Sequence, residues 1–147
     1  MNNFGRILAS KSDQYEQAEN YLKPAAEKGN LDAIYNYANL LLKMDNIKEA
    51  LKFFKISADK GQNVDAMDKY ALIAKSGNFN VRKEDIFYYF NLAASKGNPV
   101  SMYQLSLLYF DGIGVDIDLH KSAYYCKLAA DNGVAKAMKE YANKLLN

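Results

Sequence analysis

The sequence predicts an all-α protein whose helices come in repeated antiparallel pairs, and three observations support this class. Four similar stretches recur along the chain, and each contains one glycine: AAEKGN, SADKGQ, AASKGN and AADNGV. Their glycines are 32, 36 and 36 residues apart, an interval typical of stacked supersecondary units. The 147 residues include only two prolines, and half are hydrophobic, which fits a helical chain with a buried core.

The segment before each glycine has the period of an amphipathic helix. In EALKFFKISADKG, apolar or small residues occupy places i, i+3, i+4, i+7 and i+8, which form one helical face. In chain order the four segments fill these places with Ala18, Tyr21, Leu22, Ala25 and Ala26, with Ala50, Phe53, Phe54, Ser57 and Ala58, with Ile86, Tyr89, Phe90, Ala93 and Ala94, and with Ser122, Tyr125, Cys126, Ala129 and Ala130. We expect each helix to end in a left-handed cap at its glycine, Gly29, Gly61, Gly97 or Gly133.

A second helical pattern follows each glycine. A small residue comes first, and large, small and large residues tend to follow it at spacings of 4, 5 and 8, an alternation that lets paired helices pack closely. The four sets are Ala33, Tyr37, Ala38 and Leu41, then Ala66, Tyr70, Ala71 and Ala74, then Ser101, Leu105, Ser106 and Tyr109, and finally Ala137, Tyr141, Ala142 and Leu145. Phe4, Gly5 and Leu8 match the last three places, so we expect the chain to start inside a first helix.

These patterns predict one repeat domain over residues 1–147. Its hairpin units are expected at 1–29, 30–61, 62–97 and 98–133, and a closing helix without a partner at 134–147. Pro24 lies inside a predicted helix, where it removes one backbone hydrogen bond and favours a kink. Pro99 is expected in the first turn of its helix, where proline is well tolerated.

Taken together, these residues resemble the Sel-1-like repeat family, a relative of the tetratricopeptide repeats. The best unit, residues 101–133, has the small and aliphatic places of the family, then Tyr109, GxGV at 112–115, Asp118, an aromatic at Tyr125 and a final AAxxG. The resemblance covers essentially the whole chain, although the unit at 33–61 lacks GxGV and has Met44-Asp45-Asn46 as a shorter link. It implies a right-handed α-α superhelix, a solenoid whose first helices line a concave surface, and a scaffold or adaptor role.

The stretch DGIGVD, residues 111–116, is the most conspicuous local motif, and it is more typical of a turn than of a ligand site. It has no third glycine for a dinucleotide fingerprint and no Lys-Ser/Thr for a P-loop. A calcium loop needs an acidic twelfth residue, where this chain has Ser122 or Lys127 depending on the start. We therefore expect Gly112 and Gly114 to supply positive φ angles, and Val115 to pack back against the hairpin.

The single histidine and the single cysteine do not suggest a catalytic or metal site. His120 and Cys126 are six residues apart on one predicted helix, which separates them by ~240° around its axis. One histidine and one cysteine also supply too few ligands for a structural zinc site. We expect Cys126 to be a buried, inert thiol and His120 to face solvent. The sequence thus suggests no catalytic residue, no metal and no cofactor.

Nucleic acid and membrane are disfavoured as partners. The net charge is +2, with both signs mixed along the chain, and the Tyr pairs at 88–89 and 124–125 lie in repeat phase with one ring toward the core. No apolar run approaches the ~20 residues that a membrane helix needs. The first 25 residues lack a signal-peptide pattern, and one cysteine permits no internal disulfide, so we expect a cytoplasmic location.

The candidate binding residues come from analogy with tetratricopeptide repeats, in which spacings of 2, 6 and 9 from the leading small residue are exposed. Those places hold Arg6, Tyr35, Asn39, Leu42, Asp68, Leu72, Lys75, Tyr103, Leu107, Phe110, Lys139 and Asn143. Several are large and apolar, which suits a protein or peptide partner. We select Tyr35, Asn39, Asp68, Leu72, Lys75, Tyr103, Leu107 and Phe110 as partner-binding residues. The alternative is that neighbouring repeats cover them.

The favoured function is therefore a non-catalytic scaffold that binds a protein or peptide on its concave face. One alternative is a β-lactam-type hydrolase, because some cysteine-rich relatives have been linked to β-lactam binding. A single cysteine and no converging acid, base and nucleophile argue against it. Another alternative is a fragment of a larger regulatory or signalling protein, whose partners include further repeats of a longer array. An exposed apolar face on the first or last helix would favour that interpretation.

Overall fold

The computed structural model describes residues 11–146. These residues form two compact units, unit 1 up to Asn63 and unit 2 from Val64 onward. Within this described part, every regular element is an α-helix, so the all-α class is confirmed. Unit 1 contains α1 (Lys11–Glu27), α2 (Leu31–Lys43) and α3 (Ile47–Gly61). Unit 2 contains α4 (Val64–Ser76), α5 (Lys83–Ser95), α6 (Pro99–Asp111), α7 (Leu119–Asp131) and α8 (Ala135–Leu146).

Two predictions are not tested by the described residues. The helix expected around Phe4, Gly5 and Leu8, and the exposed place at Arg6, lie outside them. The single domain over residues 1–147, with its hairpin limits, stays a prediction.

In unit 1, each helix packs against the next along the chain. Ala33, Tyr37, Ala38 and Leu41 of α2 are all buried, as the spacing predicted. The ring of Tyr37 meets that of Phe53 edge-on at 5.0 Å, and Tyr35 meets Phe54 in the same way at 6.0 Å. Phe54 is fully buried, and its burial stabilises the hairpin by about 2–3 kcal/mol.

The link between α2 and α3 is the predicted three-residue turn. α2 ends at Lys43, Met44 caps it, and Asp45 takes a left-handed conformation with φ 62°. Asn46 then precedes the first turn of α3. This hairpin therefore turns without the glycine-rich loop of the later repeat.

The predicted glycine caps are confirmed at three of four positions. Gly29, Gly97 and Gly133 have φ angles of 91°, 98° and 93°, which favour glycine. At Gly61 the prediction is wrong, because α3 includes this residue and the left-handed conformation falls on Gln62, with φ 52°. The side-chain amide of Gln62 donates to the Asp59 carbonyl at 3.0 Å, a hydrogen bond that helps offset the unfavourable backbone conformation.

In unit 2, α4 to α8 also pack consecutively, each against the next. Aromatic rings mark the contacts: Tyr70 meets Tyr89 edge-on at 5.0 Å, and Tyr109 stacks on Tyr125 at 5.8 Å. Small polar side chains complete the core. The buried hydroxyl of Ser122, for example, donates to the Ser106 carbonyl at 2.8 Å. The described residues leave no buried side-chain nitrogen or oxygen without a hydrogen bond.

In the helices that contain the two prolines, one residue, Tyr21, is placed differently from the prediction. Pro99 occupies the first turn of α6, behind Asn98, whose side chain accepts from the backbone amide of Ser101 at 3.0 Å. α1 continues through Pro24 to Glu27. Tyr21, predicted to lie on the packed face of that helix, is instead 82% exposed. The equivalent Phe53 is covered by the preceding helix, and the helix that the repeat pattern places before α1 falls among residues 1–10.

None of the helices in residues 11–146 combines the length and the apolar character that crossing a bilayer requires.

Candidate partner-binding face

The structure distributes the predicted binding residues over both units. Tyr35 and Asn39 lie on α2 in unit 1, and the other six lie on α4 and α6 in unit 2. These six define what we call the first-helix face of unit 2: Asp68, Leu72, Lys75, Tyr103, Leu107 and Phe110. The two groups are therefore considered as separate surfaces.

Side-chain contacts connect helices that are not consecutive along the chain. The Ser101 hydroxyl on α6 donates to Asp68 Oδ1 on α4 at 2.7 Å, and Lys75 Nζ donates to Gln104 Oε1 at 2.8 Å. These two hydrogen bonds lie on opposite sides of Leu72 along α4. They show that α4 and α6 lie side by side and present one surface.

The same arrangement continues from α6 to α8. The Tyr103 hydroxyl donates to Glu140 Oε2, and Lys144 Nζ lies 5.8 Å from the centre of the Phe110 ring. A cation over an aromatic ring at this distance contributes about 0.5–1 kcal/mol at an exposed site. The first-helix face therefore extends onto α8.

The face combines exposed apolar groups with polar groups that are already held in place. Leu72 is 39% exposed and Phe110 is 53% exposed, while Leu107 is half-buried. Asp68, Lys75 and Tyr103 are also half-buried, and each makes one of the hydrogen bonds described above. An exposed apolar centre with fixed polar neighbours is the usual composition of a protein-binding surface.

Partial burial shifts the titration of the polar groups on this face. Burial raises the pKa of the Asp68 carboxyl, and the hydrogen bond from Ser101 partly opposes the rise. Burial lowers the pKa of Lys75, which the negative charge of Asp111 partly restores. Burial and the hydrogen bond to Glu140 raise the pKa of Tyr103 to about 12, so its hydroxyl stays a donor at neutral pH. Each pKa shift arises mainly because burial removes water from the group. A bound partner would remove more of that water.

In unit 1 the two predicted residues of α2 are less exposed than Leu72 and Phe110. Tyr35 and Asn39 are half-buried, and the Tyr35 ring packs edge-on against Phe54 of the core. Part of the Tyr35 side chain therefore supports the α2–α3 pair, and only the rest of it is available to a partner.

Unit 1 also has a groove that the repeat pattern did not predict. Its volume is about 470 Å³, and its lining includes Tyr15, Glu16, Glu19, Lys43, Met44 and Asp45. Glu19 accepts a hydrogen bond from the Tyr37 hydroxyl at 3.0 Å. Burial and this carboxylate raise the pKa of Tyr37 to about 12.

His120 and Cys126, the single histidine and the single cysteine, lie in different environments. His120 is exposed at the start of α7, as predicted, and Cys126 is fully buried. The Cys126 thiol donates weakly to the Ala137 carbonyl at 3.6 Å, and burial raises its pKa. Within residues 11–146, no three His, Cys, Asp or Glu side chains are grouped so that they could hold a metal ion.

The glycine-rich loop is a turn with a tight contact at its centre. Gly112 and Gly114 both have φ 71°, which confirms the predicted positive angles. A Cβ on Gly114 would overlap the carbonyl oxygen of Lys83 in the first turn of α5. The loop therefore also joins one hairpin to the preceding one, a packing role that the motif alone does not indicate. Ile113 and the neighbouring residues 77–81 border a cavity of about 390 Å³.

Sequence reasoning missed Gln104, Glu140 and Lys144, which complete the face. Gln104 and Glu140 lie three residues after the leading small residue of their helices, whereas the places predicted to be exposed lie two, six and nine residues after it. A signal existed, because the same place holds Asn36, Lys69, Gln104 and Glu140 and is therefore polar in every described first helix. A recurring polar residue beside a packed face predicts contacts between neighbouring repeats.

Comparison with known families agrees with the helical-repeat architecture. The Sel1 repeat model matches residues 87–98 and 99–134, and a tetratricopeptide repeat model matches residues 9–75. The two matches fall in different parts of the chain, and the Sel1 match includes the hairpin with the complete GxGV loop.

Similar proteins include one fungal regulator and two bacterial repeat proteins of known structure. The chain is 32% identical over 128 residues to chitin synthase regulatory factor 2 of Schizosaccharomyces pombe, covering 78% of this chain but only 25% of that protein. A Sel1 repeat protein from Oxalobacter formigenes is 27% identical with a TM-score of 0.69, covering 83% of this chain and 95% of that one. The protective antigen c5321 of uropathogenic Escherichia coli, which displays an SLR fold, is 25% identical with a TM-score of 0.76, covering 85% of this chain and 28% of that one.

Proposed function

The chain is a Sel-1-like repeat protein, and from this premise we propose that it is a non-catalytic scaffold that binds a protein or peptide on the first-helix face of unit 2. Helical repeats of this type generally serve as extended binding surfaces. The proposed partner contacts are Asp68, Leu72, Lys75, Tyr103, Leu107 and Phe110.

The observation that carries the proposal is the pair of exposed apolar side chains on neighbouring helices, Leu72 on α4 and Phe110 on α6. Asp68, Leu72 and Lys75 follow one another at i, i+4 and i+7, so they form one stripe along α4. Tyr103, Leu107 and Phe110 form the equivalent stripe on α6. Two parallel stripes with apolar centres and polar ends suit an elongated partner with alternating apolar and polar groups.

The face is largely organised before a partner arrives. The hydrogen bonds from Ser101 to Asp68, from Lys75 to Gln104 and from Tyr103 to Glu140 already restrict the polar side chains. Binding then loses little side-chain entropy, which otherwise costs about 0.5–1.5 kcal/mol for each immobilised side chain. Recognition by a preformed surface is therefore the favoured mechanism.

The fungal relative supports a role in regulation. Its name describes a regulatory factor of chitin synthase, and this chain spans a quarter of its length. We extend to this chain only the idea of a regulatory role, and the binding of a protein or peptide rests on the first-helix face. Tyr35 and Asn39 on α2 would form a separate contact in unit 1 under the same proposal.

The test uses peptides selected from a random display library against the 147-residue chain. Their affinities are then measured by isothermal titration for the wild type and for the double variant Leu72→Gln/Phe110→Gln. We expect affinity to fall at least about tenfold, which corresponds to about 1.4 kcal/mol. Circular dichroism should show unchanged helical content, because both side chains are already exposed.

The matched control replaces two exposed rings on second helices, in the variant Tyr88→Gln/Tyr124→Gln. This variant should bind the selected peptides as the wild type does. The proposal fails if the selected peptides lose affinity for the control instead, or if Leu72→Gln/Phe110→Gln leaves every affinity unchanged.

A further inference from the structure

Unit 2 contains a cavity where α4 ends, α5 begins and the glycine-rich loop passes. Its volume is about 390 Å³, within the range of roughly 300–1,000 Å³ that is usual for small-molecule sites. Ala74 and Ile86 of the lining are buried, whereas Asn78, Asn80 and Lys83 are exposed. The cavity therefore has an apolar interior and a polar rim.

Two glycines bring apolar side chains to this cavity. α4 ends at Ser76, and the Phe79 ring lies so close over Gly77 that a Cβ there would overlap it. Gly114 lets the glycine-rich loop contact the Lys83 carbonyl, which brings the adjacent Ile113 into the lining. Phe79 and Ile113 come from different loops, so their convergence is a product of the tertiary structure.

The charged side chains of the cavity lining are both positive. Lys75 and Lys83 line it, and its described lining includes no acidic residue. Among the described residues of unit 2, no carboxylate forms an ion pair with either lysine. The acids in the first turn of α5, Glu84 and Asp85, lie instead 3.8 and 3.6 Å from the Arg82 side chain. The positive charge of the cavity is therefore available to a ligand.

Lys75 is the lysine that would gain more from a bound anion. Its side chain is half-buried, and its Nζ donates to the neutral Gln104 Oε1 at 2.8 Å. Burial lowers the pKa of Lys75, and the negative charge of Asp111 opposes this change without cancelling it. A negative charge beside the ammonium would favour its charged form further. The removal of water from Lys75 has therefore already taken place before an anion binds.

We propose that this cavity binds a small organic anion with an apolar body. The anionic group would meet Lys75 and Lys83, and the body would contact Phe79, Ile86 and Ile113. The apolar lining disfavours inorganic phosphate, which would lose water without gaining apolar contact. The site shares only Lys75 with the first-helix face, and it does not require that face to bind a peptide.

The test compares two fluorescent dyes that share one ring system. Anilinonaphthalene sulfonate has an anionic group, and phenylnaphthylamine is the same molecule without it. Fluorescence titration of the complete 147-residue chain gives a Kd for each dye. We expect the sulfonate dye to bind at least about tenfold more tightly. Apolar contact alone would favour the uncharged dye, which is the more hydrophobic of the two, so this preference reports on the lysines.

Variants of the chain locate the dye in the cavity. Lys75→Met/Lys83→Met should weaken the sulfonate dye at least about tenfold and leave the uncharged dye unchanged. The control Lys48→Met/Lys136→Met removes the same charge from exposed residues outside the lining, and it should change neither affinity. Phe79→Gln should weaken both dyes, because it removes apolar contact that they share. Circular dichroism checks that each variant keeps its helical content.

Competition extends the test from a sulfonate to a carboxylate. Octanoate should displace the sulfonate dye, whereas octanol at the same concentration should not. Displacement by inorganic phosphate as effective as that by octanoate would contradict the requirement for an apolar body.

Three further results would overturn the proposal. Equal or tighter binding of the uncharged dye would show that the lysines do not select an anion. An unchanged affinity of Lys75→Met/Lys83→Met for the sulfonate dye would remove the site. Loss of the dye from Leu72→Gln/Phe110→Gln, but not from the lysine variant, would place it on the first-helix face.

Discussion

Helices α6 and α8 occupy the same place in the repeat but have different surroundings. Met102 on α6 is 7% exposed, whereas Met138, the same residue type at the same place on α8, is 48% exposed. α6 is followed by the glycine-rich loop and α7, which covers it, whereas among the described residues α8 is the last helix. The comparison teaches that repeat phase specifies which face is apolar, and that the neighbouring helix determines whether this face is core or surface.

The largest effect is expected where the loop after α6 contacts α5. Gly114→Ala would place a Cβ against the Lys83 carbonyl at a φ of 71°, so clash and backbone strain add together. We expect the free energy of unfolding to fall by about 3–4 kcal/mol. Urea denaturation measures this loss. A loss under about 1 kcal/mol would mean that the loop moves away from Lys83 at little cost, and that its contact with α5 contributes little to stability.

The matched methionines test the comparison directly. Met102→Ala removes a buried side chain and should cost about 2–4 kcal/mol, while Met138→Ala should cost less than about 0.5 kcal/mol. Both are measured by urea denaturation followed by circular dichroism. Similar losses for the two variants would show that α8 is covered in solution, by self-association or otherwise.

The glycines before the two helices should behave alike. Gly97 precedes α6 and Gly133 precedes α8, with φ angles of 98° and 93° and open space around a built Cβ. Each change to alanine should cost about 1–2 kcal/mol, since only backbone strain is involved. Gly61→Ala is the control with the opposite sign. That residue is helical and has room for a methyl group, so stability should rise by about 0.5–1 kcal/mol. Unequal losses of stability at Gly97 and Gly133 would mean that α6 and α8 already differ in the turns that precede them, and not only in the helix that covers α6.

The smallest effect concerns the hydrogen bond that joins α6 to α8. The pKa of Tyr103 is raised in the folded state from 10.0 to about 12, so the protonated hydroxyl favours folding. This contribution is complete below pH 10 and is lost as the pH rises toward 12. Tyr103→Phe should destabilise the protein at pH 7 by about 0.5–1.5 kcal/mol and flatten the fall in stability over that window.

The control for this measurement is Tyr37→Phe in unit 1, where a tyrosine of similarly raised pKa bonds to Glu19. It should flatten the alkaline fall without changing the contact between α6 and α8. Stability of Tyr103→Phe that declines as steeply as the wild type between pH 10 and 12 would contradict the role of the Glu140 hydrogen bond.

Most of the helical architecture could be predicted because its signals are local. The places at Ala66, Tyr70 and Ala71 recur with helical spacing, and the same spacing located α2 and α6. The cap at Gln62 could not be predicted in this way, since the choice between it and Gly61 depends on one further helical residue and a side-chain hydrogen bond to Asp59. The exposure of Tyr21 was missed for a related reason, because burial depends on which helix lies opposite.

The candidate binding face was predicted in part. Leu72 and Phe110 are exposed at the expected spacing, and their role as partner contacts stays a prediction. The contacts of Gln104 and Glu140 with neighbouring helices were not predicted, because the recurring polar place indicates that a contact forms but not which residue, 29 or 37 positions away, makes it.

The amino-acid sequence by itself determined the helices, their pairing and the apolar face of each, because small and large residues at helical spacing can pack in only a few ways. The tertiary structure alone decided three further features: that Gly114 must admit the Lys83 carbonyl, that Asp68 and Lys75 are held by α6, and that Met138 and Leu145 remain uncovered. All three depend on which residues lie opposite in space. The spacing of residues along one helix carries no information about those neighbours.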